Sequence, residues 1–406
     1  MENYIKRTAE KKVLEVSEHF PVLLITGPRQ VGKTTLLRQL AGTERKYVSL
    51  DHPMIKQLAV TDPELFLQRY EPPVLIDEIQ YAPQLLPFIK LYVDEHKRKG
   101  DFWLTGSQMF HLMKGVSESL AGRVGIINLF GLSYSEIIGS ESSPFQMDIM
   151  KLKERAAIRP DLQLKELYTY IHTGTMPALY ADKQDIETYY SSYLQTYLQR
   201  DLKELTRVGD ELTFMRFITS VAARTGQLVN YADISRDIGI SEPTVKQWLS
   251  ILIASGIVLL LEPYHNHLLK RLVKTPKLYF IDTGFCAYLT RWTSAEVLET
   301  GAMAGAFFET WVVSEIYKSY YHSGRRPTFY YYRDKDQTEI DLILCEADTL
   351  YPIEIKKCAN PGKAALQSFK ALEKTKQKIG SGGVICLCSE LLPADKNNWF
   401  IPAGLL

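Results

Sequence analysis

The segment GPRQVGKTT at residues 27–35 constrains this chain more than any other feature, because it fits the pattern G-x-x-x-x-G-K-[ST]. It follows the apolar run PVLLIT and precedes TTLLRQLAG, whose apolar residues recur at helical spacing. Glycines let the backbone N–H groups of such a loop turn inward at a helix N-terminus, where they and the helix dipole favour phosphate. The segment therefore predicts a nucleotide-phosphate loop between a strand and a helix.

The residue types within this loop predict individual roles. We expect Lys33 to reach the terminal phosphates and assist catalysis, and the Thr34 hydroxyl to ligate Mg2+. No N-K-x-D triplet for guanine occurs in the chain, which favours ATP over GTP. The predicted cofactor-binding residues are Gly27, Pro28, Arg29, Gln30, Val31, Gly32, Lys33, Thr34 and Thr35.

The apolar strand in PVLIDEIQ ends on an acidic pair that predicts the other half of the nucleotide site. We expect Asp77 to hold Mg2+ through water and Glu78 to polarise the attacking water as a general base. The next apolar strand, DFWLTGS, ends on Thr105 and Ser107, and a polar side chain there, above all Ser107, is expected to orient the water or sense the γ-phosphate. A plain polar turn after a strand is the alternative interpretation of that ending.

Two arginines are candidates for a catalytic arginine that acts across a subunit boundary. Arg123 follows a helical pattern in SLAGRVG, and Arg200 lies in LQRDL. The hypothesis requires a homo-oligomer, such as a ring. A structural or surface arginine is an equal alternative for each.

Residues 231–261 predict a helix, a tight turn, a second helix and a strand, which is the winged helix-turn-helix pattern. In that fold the second helix can enter a major groove, here with Lys246, Gln247 and Ser250. The helical part carries three acidic and two basic residues, whereas DNA readers are usually more basic, so protein–protein packing is the alternative. The hairpin that follows is richer in basic residues that could contact phosphates, namely Lys270, Arg271, Lys274 and Lys277.

Two consecutive C-terminal strand patterns carry acids at a spacing typical of metal-dependent phosphodiester cleavage. Asp341 lies in EIDLIL, Glu354 and Lys356 lie in IEIKK, and Glu309 lies in the upstream helical segment GAFFETWVVSEI. Strand alternation places Glu354 and Lys356 on one face. We expect a nuclease-like fold in which Glu309, Asp341 and Glu354 hold Mg2+ and Lys356 positions water. An active nuclease and a degenerate one that only docks DNA both stay open.

These motifs together resemble the bacterial and archaeal AAA-type ATPases whose C-terminal half is a domain of unknown function. The resemblance rests on GPRQVGKTTL, VLIDEIQ, LTGSQ, SLAGRV, YLQTYLQRDL, KLYFIDTG and EIDLIL followed by IEIKK, and it extends over nearly the whole chain. It implies an AAA+ core whose sensor strand lies between the loop strand and the acidic strand. It also implies a helical lid, a winged helix and a fold similar to PD-(D/E)XK nucleases.

The alternation of strands and helices predicts an α/β protein, and 406 residues exceed the usual size of one core. The expected domains are a P-loop AAA+ core at 1–132, a helical lid or linker at 133–209, a winged helix-turn-helix at 210–285 and a nuclease-like domain at 286–406. The start has no signal-peptide pattern, and no apolar run is long enough to span a bilayer, so we expect a cytoplasmic protein without membrane contact.

The function expected from the sequence is ATP binding and hydrolysis with Mg2+, coupled to DNA binding or remodelling in a homo-oligomer. The formal net charge of +1 means that any DNA contact must come from a local basic patch. Two alternatives stay open. One is a nucleotide-gated switch or scaffold that recruits proteins without DNA, and the other is an ATP-regulated, Mg2+-dependent DNA nuclease.

Overall fold

The computed structural model describes residues 4–107, 115–116, 118–197, 211–265 and 275–406. Four residues with predicted roles lie outside the described residues, namely Arg200, Lys270, Arg271 and Lys274. Within the described ranges, no helix combines the length and the apolar character that a membrane crossing requires.

The N-terminal part is built on a parallel five-stranded sheet. Its strands are β1 (Val22–Thr26), β2 (Lys46–Ser49), β3 (Val74–Asp77), β4 (Phe102–Gly106) and β5 (Val124–Asn128). The strand order is β2-β3-β4-β1-β5. Strand β4 therefore lies between the loop strand β1 and the acidic strand β3, which is the order that the resemblance implied.

Helices cover both faces of this sheet because β1 is buried at every position and apolar at its first four. Leu23 and Ile25 pack with α1 and α2, whereas Val22 and Leu24 belong to a second core with α3, α4 and α5. These helices are α1 (Ala9–His19), α2 (Lys33–Leu40), α3 (Pro53–Thr61), α4 (Pro63–Arg69) and α5 (Leu85–His96). The prediction of an α/β protein with a helix-covered parallel sheet is confirmed.

A helical section follows the sheet, and no strand occurs among the described residues from 133 to 197. Its helices are α6 (Tyr134–Ile137), α7 (Ile149–Ile158), α8 (Leu164–Thr173), α9 (Pro177–Ala181) and α10 (Ile186–Tyr197). Local capping explains two of the starts: Ser133 and Glu136 form a capping box at α6, and the Asp148 side chain accepts from the Met150 N–H at α7.

The middle unit contains the predicted helix, turn, helix and strand. Its helices are α11 (Glu211–Ala222), α12 (Tyr231–Ile238) and α13 (Glu242–Ala254). Its strands are β6 (Gln227–Leu228), β7 (Val258–Leu261) and β8 (Lys277–Phe280), and they form an antiparallel sheet of order β6-β8-β7. Gly239 ends α12 with φ 80°, a left-handed conformation that glycine adopts without strain. The Ser241 hydroxyl caps α13 by accepting from the Thr244 N–H at 3.3 Å.

The C-terminal part is a mixed sheet of order β14-β15-β13-β11-β10-β9, with β12 beside β11. The strands are β9 (Phe329–Arg333), β10 (Glu339–Glu346), β11 (Thr349–Ile355), β12 (Lys378–Ile379), β13 (Gly382–Cys386), β14 (Leu392–Pro393) and β15 (Asn398–Pro402). The helices before it are α14 (Thr283–Leu289), α15 (Ala295–Thr300) and α16 (Ala304–His322). The long, largely buried α16 contacts β5, β8 and β11, so it joins all three sheets.

Candidate functional site

The loop after β1 bends in the way that its glycines predict. Gly27 has φ 143°, and a Cβ at this position would lie 2.0 Å from the carbonyl oxygen of Leu129. Gly32 has φ 89° and stands immediately before α2. Other residues would be strained at both positions. The loop therefore wraps around the N-terminal end of α2, where unpaired backbone N–H groups are available to a phosphate.

The Lys33 side chain turns back into this loop. Its Nζ donates to the carbonyl oxygens of Gly27 at 3.0 Å and Pro28 at 2.7 Å, and the side chain is buried. The ammonium group thus lies inside the ring that the loop forms. This is the position from which a lysine can neutralise terminal phosphates.

A hydroxyl and a carboxylate meet beside the loop. Thr34 Oγ1 donates to Asp77 Oδ1 at 2.7 Å, and Tyr47 OH donates to Asp77 Oδ2 at 3.1 Å. Thr105 Oγ1 also donates to Asp77 Oδ1. Hydroxyl and carboxylate oxygens are the hard donors that Mg2+ prefers. Thr34 and Asp77 are therefore the residues that would hold a Mg2+ ion at this site.

The second acid of the pair, Glu78, is held by the end of β4. Its Oε2 accepts from Ser107 Oγ at 3.2 Å and from Gln80 Nε2, and its backbone N–H donates to Thr105 Oγ1 at 3.0 Å. Glu78 itself has φ 58°. The structure therefore brings the predicted base into contact with the predicted sensor residues. Sequence reasoning missed Gln80, although it stands in the same PVLIDEIQ run.

Two cavities adjoin the loop and share Gln30, Gly32 and Thr35. The first, of 370 Å³, is lined by loop residues, Glu78 and Thr196. The second, of 480 Å³, is lined mainly by the N-terminal segment at residues 4–7 and by α9 and its neighbours at residues 177–182. A ligand that binds the loop can therefore extend toward the N-terminal segment.

Arg123 does not face the phosphate loop of its own chain. Its guanidinium binds Asp94 of α5, with Nε 2.5 Å from Oδ1 and Nη2 2.9 Å from Oδ2. Arg123 immediately precedes β5, and the first residue of β5, Val124, pairs with Val22 at the start of β1. The phosphate loop, in contrast, follows the end of β1. Arg123 therefore lies at the amino ends of the strands, whereas the loop lies at their carboxyl ends. A role in its own site is excluded, and only a role in a neighbouring subunit stays open.

Arg7, which sequence reasoning did not select, contacts the loop from behind. Its guanidinium donates to backbone carbonyls of the loop and of residues after β5, and its Nε lies 3.2 Å from Glu136 Oε2. No sequence motif marks this residue, because its partners lie 24 and more than 120 positions further along the chain.

The predicted DNA-contacting residues that the structure describes lie on one exposed face of α13. Lys246, Gln247 and Ser250 are exposed, whereas Val245 and Trp248 are buried. The Lys246 ammonium lies 5.2 Å from the centre of the Tyr231 ring. Lys277 differs from its predicted role, because it is only 4% exposed and points into the protein. It is therefore not a phosphate-contacting residue of the hairpin surface.

The C-terminal acids converge at one place, as their strand positions predict. Lys356 Nζ lies 3.2 Å from Asp341 Oδ2 and 2.7 Å from Glu354 Oε2. Glu309 of α16 approaches from the other side and lies near Asp341 through a shared partner, Lys277. The structure thus assembles Glu309, Asp341, Glu354 and Lys356 into one carboxylate cluster.

Two residues that sequence reasoning did not assign to this cluster complete it. Lys277 Nζ lies 3.1 Å from Glu309 Oε1, 2.5 Å from Glu339 Oε1 and 3.8 Å from Asp341 Oδ1. Glu339 begins β10, two positions before Asp341, and alternation turns both side chains to the same face. That alternation could have identified Glu339, but nothing local predicts the partner from β8.

The predicted metal role of Glu309, Asp341 and Glu354 does not fit this arrangement. Across the described ranges, no group of three or more His, Cys, Asp or Glu side chains is placed to hold a metal ion. The physical reason here is that two ammonium groups lie between the carboxylates. Burial and the neighbouring Asp341 raise the pKa of Glu354 to about 8, as expected of acids crowded together.

The fold and the loop define the class of protein: a parallel sheet with a G-K-T loop after β1 and an acidic pair after β3 is a P-loop nucleotide-binding core of the AAA type. Residues 19–138 match the AAA domain family, and residues 304–406 match a domain of unknown function, DUF4143. Residues 164–296 match a second domain of unknown function, DUF8612. The chain therefore contains an AAA domain and ends in a domain of unknown function.

Similar proteins include two uncharacterized proteins, one from Mycobacterium tuberculosis and one from Mycobacterium bovis. Each is 28% identical over 357 residues, which cover 88% of this chain and 75% of the relative. Among solved structures, the Walker-type ATPase of Pyrococcus abyssi has 17% identity and a TM-score of 0.44, covering 71% of this chain and 96% of that one. RuvB of Thermotoga maritima, a Holliday junction branch migration motor, has 17% identity and a TM-score of 0.31, covering 62% and 88%.

Proposed function

We propose that this chain binds ATP together with Mg2+ and hydrolyses it. The observation that carries the proposal is the 2.7 Å contact between Thr34 Oγ1 and Asp77 Oδ1, beside a loop that encloses the Lys33 ammonium. These groups are the phosphate cradle, the terminal-phosphate cation and the Mg2+ ligands that phosphoryl transfer requires.

The roles of the residues follow from their places. The loop amides and Lys33 bind and orient the phosphates. Thr34 and Asp77 would hold Mg2+, which would supply charge neutralisation of the phosphates. Glu78 accepts a proton from the attacking water, and Ser107, in contact with Glu78, orients that water. The 480 Å³ cavity between residues 4–7 and α9 supports a place for the adenosine part of the nucleotide.

Two substitutions test this proposal. Lys33→Ala should abolish detectable ATP binding in a calorimetric titration, because the terminal phosphates lose their cation. Glu78→Gln should bind ATP normally and release no phosphate, because only the base is lost. Lys11→Ala, at an exposed position on α1, is the matched control and should behave as wild type. Phosphate release by Glu78→Gln at the wild-type rate would remove Glu78 from the mechanism.

We further propose that turnover is coupled to DNA through α13 and the hairpin after it. The support is the exposed face of Lys246, Gln247 and Ser250 on the second helix of the helix-turn-helix. Contacts of lysine and arginine with phosphates release counterions, so they make binding depend on salt. The rival function is a nucleotide-gated scaffold that recruits proteins and does not bind DNA.

The test of DNA coupling uses the basic residues of the hairpin. Replacing Lys270, Arg271 and Lys274 together with Ala should weaken DNA binding and flatten its salt dependence, the slope falling by about one for each DNA phosphate that the variant leaves unneutralised. Lys246→Ala should weaken binding further. An equal affinity and salt slope for the variants and wild type, with no effect of DNA on ATP turnover, would favour the scaffold.

A further inference from the structure

The cation nearest to the centre of the C-terminal carboxylate cluster comes from a different sheet. Lys277 begins β8 of the middle unit, whereas its acidic partners lie on α16 (Glu309) and on β10 (Glu339 and Asp341). Its Nζ is within 4 Å of a carboxylate oxygen of each of the three, and the side chain is 4% exposed. A single buried ammonium therefore holds acids from two separate elements.

The backbone around Lys277 fixes this position. Tyr331 of β9 bonds to the chain after β7: its N–H donates to Glu262 O at 3.0 Å, and its carbonyl accepts from Tyr264 N at 2.6 Å. The Tyr331 hydroxyl also donates to the carbonyl of Thr275, two residues before Lys277. The small sheet of the middle unit is thus attached to the C-terminal sheet by main-chain bonds, and Lys277 lies at this junction.

Each acid of the cluster has a donor from the protein itself. Glu309 accepts from Tyr279 OH at 2.6 Å as well as from Lys277, and Glu339 pairs with Lys277. Asp341 Oδ2 accepts from the Ile355 N–H at 2.8 Å. Buried carboxylates are stable when such donors satisfy them.

The remaining carboxylate of the cluster, Glu354, also has donors from the protein. Glu354 accepts from Ser368 Oγ at 2.5 Å and pairs with Lys356. Arg333 Nη1 lies 3.4 Å from Glu339 Oε2 at the rim. The cluster is therefore complete as a set of ion pairs and hydrogen bonds, without a further cation.

We propose that Lys277 takes the place of a metal ion in this carboxylate cluster, so that the cluster ties β8 to the C-terminal part instead of cleaving phosphodiesters. A divalent ion would have to bind the same oxygens at roughly 2.0–2.1 Å. The ammonium group lies against those oxygens already, and two cations at this separation repel each other. As long as β8 stays attached, the acids are closed to Mg2+.

Removal of the ammonium group tests the proposal directly. Lys277→Met keeps the length and the apolar stem but leaves Glu309, Glu339 and Asp341 without their shared cation. The purified variant should acquire a Mn2+ or Tb3+ site that wild type lacks, with affinity raised on the order of tenfold or more because the adjacent positive charge is gone. Tyr279 lies against Glu309, so Tb3+ bound here gives sensitised luminescence, and the part of the signal that Glu339→Gln removes belongs to this site.

Two controls separate this site from other effects. Adding Glu339→Gln to Lys277→Met should abolish the new metal binding, whereas metal bound at the nucleotide site is unaffected. Lys318→Met removes another buried ammonium, which pairs with one carboxylate, Glu315. This variant should be less stable than wild type and should not acquire a metal site. If Lys277→Met does not fold, Lys277→Gln, which keeps a hydrogen-bond donor without the charge, replaces it.

Three results would overturn the proposal. The first is Glu339-dependent metal binding by wild type that equals the binding by Lys277→Met. The second is a folded Lys277→Met that binds no more metal than wild type. The third is Mg2+- or Mn2+-dependent DNA cleavage by wild type that Asp341→Asn abolishes, since it would show that the acids are open to metal while Lys277 is present.

Discussion

Arg7 Nη1 donates a 2.7 Å hydrogen bond to the carbonyl oxygen of Val31, which connects the N-terminal segment to the middle of the phosphate loop. Its Nη2 donates at 2.8 Å to the carbonyl of Phe130, immediately after β5. The Arg7 guanidinium therefore hydrogen-bonds both to the loop and to the backbone after the neighbouring strand, β5. A single arginine side chain, whose donors lie in a fixed fork, is suited to this double contact.

The same guanidinium continues into a buried network that reaches the C-terminal helix. Arg7 Nε lies 3.2 Å from Glu136 Oε2, and Glu136 Oε1 lies 3.4 Å from Nδ1 of His322, the last residue of α16. The Phe130 N–H donates to His322 Nε2 at 3.3 Å. The phosphate loop and the C-terminal part thus share one set of buried polar contacts.

We predict that Arg7→Met weakens ATP binding and lowers stability. The Val31 carbonyl loses its donor, so the loop is less well ordered for phosphate, and KM for ATP should rise more than kcat falls. The buried Glu136 carboxylate loses its arginine partner, and breaking a buried ion pair costs about 3–5 kcal/mol of the free energy of unfolding. Steady-state phosphate release and chemical denaturation measure the two effects.

A double variant distinguishes positioning from general destabilisation. Arg7→Met with Glu136→Gln also removes the buried negative charge, so the free energy of unfolding should recover in part. The Val31 carbonyl still lacks its donor, so KM for ATP should stay high. Recovery of KM along with stability would mean that Arg7 acts on the fold alone and not on the loop.

We predict that acid destabilises the protein through His322. Burial lowers the pKa of this imidazole below 6.5, and Arg7 and Lys318 lower it further, although Glu136 partly opposes them. The neutral ring is favoured in the folded state because Nε2 accepts from the Phe130 N–H. As pH falls below the ordinary histidine pKa of 6.5, the unfolded chain takes up a proton at His322 that the folded chain does not. Stability is therefore fully present above this pKa and is lost as pH falls below it.

The measurement is thermal unfolding across that range. The melting temperature of wild type should fall between about pH 7 and pH 5, each pKa unit of depression corresponding to about 1.4 kcal/mol. His322→Gln keeps an acceptor for Phe130 and does not titrate, so its melting temperature should change less. Burial alone would raise the pKa of Glu136, but Arg7 and His322 hold this pKa well below 4.5. The stability that the Glu136 carboxylate contributes is therefore lost only at more acidic pH. Parallel curves for the two proteins would contradict the assignment to His322.

The nucleotide core was predictable because its information is local. The loop at 27–35 and the pair Asp77 and Glu78 each depend on a few consecutive residues after an apolar strand, and the parallel sheet brings the strand ends together. The strand order could be stated in advance only through the resemblance to AAA-type ATPases. No local pattern distinguishes a central parallel strand from its neighbour.

The contacts that could not be predicted join distant segments. Lys277 belongs to a basic hairpin, and basic residues next to a helix-turn-helix favour DNA contact, yet this lysine faces inward to acids 32 to 64 positions away. Alternation along β8 puts Lys277 and Tyr279 on one face but cannot show what covers that face. The cluster was therefore predicted as a metal site, and the cation that fills it was missed.

We predict that Gln80 restrains the catalytic base. Glu78 Oε2 accepts from Gln80 Nε2 and Ser107 Oγ, and these two donors hold the carboxylate in place. Gln80→Leu should therefore raise kcat for ATP severalfold without changing KM, since Glu78 is freer to approach water. Gln68→Leu, at an exposed position on α4, is the control. A fall in kcat to the level of Glu78→Gln would show instead that Gln80 orients the water.

The arginine hypothesis predicts rescue between two inactive variants. Arg123 lies at the end of the strands opposite to the loop and is partly exposed, so it can serve only the site of a neighbouring subunit. An Arg123→Ala protein has an intact loop, and a Lys33→Ala protein has an intact Arg123. Mixed oligomers should hydrolyse ATP at interfaces where the first supplies the loop and the second supplies the arginine, with most activity near equal amounts.

The same mixing experiment separates Arg123 from Arg200 and from a structural role. Arg200→Ala mixed with Lys33→Ala should be rescued only if Arg200 is the residue that acts across the interface. Mixing Lys33→Ala with Glu78→Gln should give no rescue, because neither subunit has a complete site of its own. Asp94→Ala frees the Arg123 guanidinium from its ion pair and should leave rescue intact. Absence of rescue at every ratio, together with a monomeric mass in the presence of ATP, would remove both the arginine and the oligomer from the mechanism.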